Sequence, residues 1–125
     1  MIPAARPEIG DEERAAVDRV MRSGMLAQGP EVAAFESEFS AIVNGMHSIA
    51  VNSGTSALHM AFLAAGVGAG DEVIVPSFSF AATANSVALA GATPVFVDIE
   101  LDHFNAAPAA IEAAITPRTK AIMPV

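Results

Sequence analysis

Val51–Phe80 reads VNSGTSALHMAFLAAGVGAGDEVIVPSFSF, and the fold follows from it. Two short apolar runs, Ser48–Val51 and Glu72–Val75, each end in a loop of small hydroxyl residues. The loops are Asn52-Ser53-Gly54-Thr55-Ser56 and Pro76-Ser77-Phe78-Ser79-Phe80. Between them Thr55–Ala65 is apolar nearly all round, the pattern of a buried helix. The first loop opens directly into that helix. Free backbone N–H groups and two hydroxyls therefore stand at its positive end, where an anion is favoured. The second loop offers flat aromatic rings. Phosphate on one loop and a stacked ring on the other would suit a phosphorylated aromatic cofactor.

Working outward, Thr93–Val97 reads as a further strand and Lys120–Val125 as the start of a fourth, with Ser48–Val51 the first. Helices are expected over Phe80–Leu89 and Pro108–Ala114. Toward the amino end, Asp11–Arg22 is an amphipathic helix with Val17, Val20 and Met21 on one side and a stop at Gly24. Glu31–Val43 is another, with Val32, Phe35, Phe39 and Ile42 at helical spacing. Strands alternating with helices indicate a parallel α/β sheet. In such sheets ligands sit beyond the carboxyl ends of the strands. Both hydroxyl loops and Asp98 are expected at those ends.

Composition sets the bounds. A chain of 125 residues holds one modest domain. Hydrophobic residues make up 53% and charged ones 16%, so much of the chain must be buried. The net charge of −8 argues against nucleic acid or an anionic membrane as the main partner, but not against a nucleotide ligand held by backbone N–H groups. With no cysteine there is no disulfide, thiol nucleophile or cysteine-ligated metal. Met1–Glu8 has no basic region followed by an apolar run, which argues against a secretory signal. Apolar stretches such as Ala57–Ala65 are too short to cross a bilayer, and the cytoplasm is the expected location. The chain closes on Pro124-Val125 within or just after a strand, which reads as a truncated chain.

These segments resemble the N-terminal part of the DegT/DnrJ/StrS family of pyridoxal-phosphate enzymes, most of which aminate nucleotide-linked keto-sugars. The likeness runs through Gln28-Gly29-Pro30-Glu31 and Phe35-Glu36 into Asn52–Leu58 and Gly70–Phe80. It continues through Ala82–Asn85 and Pro94–Asp98 to Ile115–Ile122, so it covers nearly the whole chain in order. The resemblance implies the parallel-sheet, three-layer architecture of fold-type-I enzymes. Residues 1–125 would be the incomplete N-terminal part of the large domain, with residues 1–30 a helix and a segment on the substrate and dimer side. One departure is Ala106-Ala107 before Pro108, where the family often has an acidic residue; this removes a helix cap.

Carried onto this sequence, the resemblance places the cofactor phosphate on Thr55 and Ser56, with Gly54 allowing close approach. N-capping by Ser53 or Thr55 is the plainer alternative. Phe80 is the candidate for stacking on the pyridine ring, against a core phenylalanine; for Phe78 the core reading is preferred. Asp98 could hydrogen-bond cofactor or substrate, or merely cap a turn, and the turn is slightly favoured. Gln28 resembles a substrate-side position, with a helix-entry turn as the alternative. His59 is read as facing out of its helix, and His47 and His103 as isolated; none has metal-ligand spacing. Gly66, Gly68 and Gly70 lie between a helix and a strand, the reverse of a dinucleotide fingerprint.

Lys120 is the only lysine and stands at a strand start, at the edge opposite the site. The Schiff-base lysine that amino transfer requires is therefore expected beyond Val125, leaving this chain without a catalytic residue and inactive alone. The implied function is amino transfer, with glutamate as donor, to a nucleotide-linked keto-sugar by a homodimer. A sugar dehydratase of the same family, a non-catalytic cofactor-binding relative and a generic phosphate-binding module are the alternatives.

Overall fold

The computed structural model describes residues 6–125, so Met1–Ala5 of the Met1–Glu8 reading lie outside the described residues. The chain divides into two compact units, one ending at Ala50 and the other spanning Val51–Val125.

The first unit holds α1 (Asp11–Ser23) and α2 (Pro30–Ile42). Acidic Asp11, Glu12 and Glu13 fill the first turn of α1, where the helix dipole favours them. Glu13 reaches back to the Gly10 N–H at 2.6 Å. That is half of a capping box, because glycine has no side chain to complete it. Gly24 ends α1 with φ 71°, a left-handed cap that glycine adopts without cost. Arg19 reaches from α1 to Glu31 on α2, 3.1 Å apart. The Phe35 and Phe39 rings lie 5.9 Å apart on α2.

Residues 48–51 form no strand, contrary to the sequence expectation. A strand exists only by pairing, and among the described residues no strand pairs with this stretch to take its backbone groups. The Ala50 N–H instead donates to the Glu36 carboxylate at 2.7 Å.

The second unit is the α/β body. It contains α3 (Gly54–Ala64), β1 (Glu72–Pro76), α4 (Ala82–Leu89), β2 (Thr93–Val97), α5 (Pro108–Ala114) and β3 (Thr119–Ile122). The sheet is parallel with order β2-β1-β3. β1 pairs with β2 from Glu72↔Thr93 to Pro76↔Val97. Against β3 the register runs Glu72↔Thr119 then Val73↔Ala121, so Lys120 is a bulge. As the central strand, β1 is buried throughout, which explains its unbroken Val/Ile run. Val73 and Val75 point to the face where Phe62, Val67, Val87 and Ala92 complete the core. Ile74 is buried on the other face. Each of these Val, Ile and Phe side chains contributes roughly 1.5–3 kcal/mol on burial. α4 begins at Ala82, two residues later than expected, because Ser79–Ala81 belong to the turn leaving β1. α5 begins at Ala107-Pro108 with no side-chain cap. No helix among the described residues is long and apolar enough to cross a membrane.

Candidate functional site

Topology brings the two hydroxyl loops to one edge of the sheet. α4 follows the carboxyl end of β1, and α3 leads through Gly66–Gly70 into its amino end. α3 and α4 pack together. Their carboxyl ends meet near Gly91, where an added Cβ would lie 3.7 Å from the Ala69 nitrogen. The two helices therefore run side by side with both N-termini toward the carboxyl edge of the sheet.

At the start of α3 the hydrogen bonds sort the residues by availability. Ser53 is the N-cap, its Oγ accepting from the Ser56 N–H at 3.1 Å. The Ser53 carbonyl takes the Ala57 N–H at 3.0 Å. The Ser56 hydroxyl donates to Asn52 Oδ1 at 2.6 Å and accepts from Ser53 at 3.0 Å. The N–H groups of Gly54 and Thr55 precede the first intrahelical bond, and the Thr55 hydroxyl takes part in none of these contacts. A Cβ built on Gly54 would meet nothing within 4 Å. Space and donors coincide there, and no carboxylate oxygen joins these bonds. The expected Thr55–Ser56 pair is thus unequal: Ser56 must release Asn52 before it can donate to an anion, whereas the Thr55 hydroxyl has no hydrogen-bond partner among the described residues.

The second loop leaves β1 with the Ser77 N–H donating to the Val97 carbonyl at 2.9 Å. Phe80 stands 81% exposed above a recess that Ser77, Ser79, Thr83, Asn85 and Phe96 also line. Phe78 is 64% exposed, not core as expected, because the chain has already left the sheet at that point. Its ring lies 5.6 Å from that of Phe104 instead. Asp98 follows β2 at the same edge, exposed, with its carbonyl accepting from the Ala107 N–H at 3.0 Å. Its backbone thus closes the turn into α5. Gln28 belongs to the first unit. It is exposed and left-handed, with φ 57°, immediately before Gly29 and α2. His59 is half-buried in α3, not outward-facing, since that helix is packed on its flank. His103 sits 2.8 Å from Glu100 in the turn after β2.

The opposite edge carries the densest polar cluster. Arg118 Nε donates to Glu72 Oε1 at 2.9 Å, and Thr116 Oγ1 donates to Glu72 Oε2 at 2.5 Å. The Thr116 hydroxyl, and after it the Arg118 guanidinium, hold the Glu72 carboxyl below its ordinary range. This cluster fastens the entry of β3 to β1. Lys120, next along, is exposed at that same amino edge.

A family model described as the DegT/DnrJ/EryC1/StrS aminotransferase family matches residues 7–125. The chain belongs to this family. It is 49% identical over 124 residues to the spore coat polysaccharide biosynthesis protein SpsC of Bacillus subtilis, covering 99% of this chain and 32% of SpsC. Among solved structures it is similar to DesV of S. venezuelae in complex with a ketimine intermediate. There the TM-score is 0.83 at 46% identity, over 91% of this chain and 31% of DesV. It is also similar to NtdA of Bacillus subtilis with bound cofactor PMP. That match has a TM-score of 0.82 at 40% identity, over 89% of this chain and 26% of NtdA. The chain spans about a third of the length of the curated relative it matches.

Family membership implies pyridoxal phosphate, and the residues present fit it. The start of α3 offers N–H groups, a free hydroxyl and open space to a phosphate, while Phe80 offers a bare ring. The Asn52 bond to Ser56 and the Ser79–Thr83 hydroxyl contact beside Phe80 are the features that sequence reasoning missed. The i to i+4 spacing of hydroxyl and amide groups was the available signal in both.

Proposed function

We propose that the natural protein carrying this chain is a pyridoxal-phosphate-dependent aminotransferase. In this reading it moves an amino group from glutamate to a nucleotide-linked keto-sugar. Family membership supports it, as do relatives named for polysaccharide biosynthesis and for bound PMP. The single observation that carries it is the sharing of one sheet edge by an anion-receptive helix start and an exposed aromatic ring.

When bound, the cofactor supplies an electron sink through which an amino group is accepted and passed on. The residues of this chain bind and orient. The Gly54 and Thr55 N–H groups and the Thr55 hydroxyl hold the phosphate, with the helix dipole adding to their charge. Ser56 joins them by exchanging Asn52 for a phosphate oxygen. Phe80 covers one face of the pyridine ring. Asp98 and Gln28 are assigned to the substrate side. Lys120 stands at the far edge, so the amine that bonds the cofactor lies past Val125 in this reading. The protein is proposed to be a cytoplasmic homodimer.

The test is to incubate the purified natural protein with glutamate and nucleotide-linked keto-sugars, following 2-oxoglutarate and the sugar product by mass spectrometry. Equal yields of 2-oxoglutarate and aminosugar are expected. Loss of water from the sugar without amino transfer would replace this reading with a dehydratase, and failure to bind pyridoxal phosphate would end it.

A further inference from the structure

The turn after β1 carries a pair of hydroxyls that the roles above leave unused. The side-chain oxygens of Ser79 and Thr83 lie 2.7 Å apart. The Thr83 N–H also donates to the Phe80 carbonyl at 3.0 Å. Two bonds thus tie consecutive residues, 79 and 80, to one anchor. The anchor is fixed: Thr83 is 6% exposed in the first turn of α4. Its carbonyl accepts from the Ser86 hydroxyl at 3.0 Å, and Ser86 is wholly buried. Phe80, by contrast, leaves most of its ring in water. A held backbone beneath a bare aromatic ring is the arrangement that binding by stacking requires, because little freedom remains to be lost when a ligand arrives.

We infer that Thr83 is a positioning residue for Phe80. Through the Ser79 hydroxyl and the Phe80 carbonyl it fixes the Cα–Cβ direction of Phe80, so that the ring faces an aromatic ligand of the pyridoxal phosphate class. The inference rests on the assignment of Phe80 to ring stacking made above.

The experiment titrates the natural protein, stripped of cofactor, with pyridoxamine 5′-phosphate and separately with inorganic phosphate. Circular dichroism of the bound pyridine reports ring orientation. Phe80→Ala is expected to weaken pyridoxamine phosphate binding roughly two- to tenfold and to leave inorganic phosphate binding unchanged. Thr83→Val is expected to show the same selective loss with a reduced dichroic band, and Thr83→Ser to restore both. The double variant Phe80→Ala/Thr83→Val should bind no more weakly than Phe80→Ala, since the threonine acts through the ring. If Phe80→Ala binds normally, the stacking assignment fails and the inference falls with it. If Phe80→Ala weakens binding but Thr83→Val does not, the inference alone is overturned. Losses that multiply in the double variant, or equal loss of inorganic phosphate affinity, overturn it too. Should Thr83→Val not fold, Ser79→Ala removes the other hydroxyl from an exposed position and is judged by the same outcomes.

Discussion

Thr55 and Ser56 carry the same functional group one residue apart, yet they differ in freedom. The Ser56 hydroxyl is engaged by Asn52 and Ser53, and that of Thr55 is not. A hydrogen bond to a charged group is worth about 1.5–3 kcal/mol. Thr55→Val should therefore weaken phosphate or pyridoxamine phosphate binding by about tenfold or more. Ser56→Ala should weaken it less, because an existing bond to Asn52 offsets what the anion would gain; isothermal titration of the two variants ranks them. Glu72 gives a second test. Its carboxyl is more acidic folded than unfolded, so the unfolded chain takes up the proton first. Its contribution to stability is complete above the ordinary carboxyl value of 4.5 and is lost as the pH falls below it. The Tm of Glu72→Gln should be lower at neutral pH and should fall less steeply in acid, as calorimetry across that range would show.

Helices and strands answer to different evidence. α3 is closed at its start by Ser53, and Ser53→Ala should cost about 1 kcal/mol of stability, measured by denaturant unfolding. Ile74→Ala in the central strand should cost about 2–5 kcal/mol by the same measurement, since its side chain is 1% exposed. Element by element, most of this body was legible. The apolar run at Glu72–Val75, the Thr93–Val97 strand and the Pro108–Ala114 helix all stand where the residue pattern puts them. Ser48–Val51 was not, because an apolar run says nothing about whether a pairing partner exists. Phe78 was misread for a related reason: hydrophobicity predicts burial only while the chain remains in the sheet. At the site, the helix-start donors could be read from Ser53-Gly54-Thr55-Ser56. The different standing of Thr55 and Ser56 could not, since it depends on how the Asn52 side chain turns. The Ser79–Thr83 contact had only its i to i+4 spacing to announce it, and that spacing gains meaning only once residue 79 is known to lead into α4.

On the scale of the whole chain, the composition promised more burial than is achieved. Ile42, Ile49, Phe35 and Leu101 are all exposed, and among the described residues β2 and β3 each leave an unpaired edge. Open strand edges beside apolar surface favour association. The isolated 125-residue chain should therefore self-associate and bind a hydrophobic dye. A sharp cooperative melt with monomeric light scattering would count against this. The strand order has a consequence in time as well as in space. During synthesis β1 leaves the ribosome well before β3, and Arg118, just ahead of β3, is 46 residues further on than the Glu72 it grips. Until then the Val73–Val75 core strand is open along one side, and a translational pause between Val97 and Thr119 would lengthen the interval in which a chaperone could bind it.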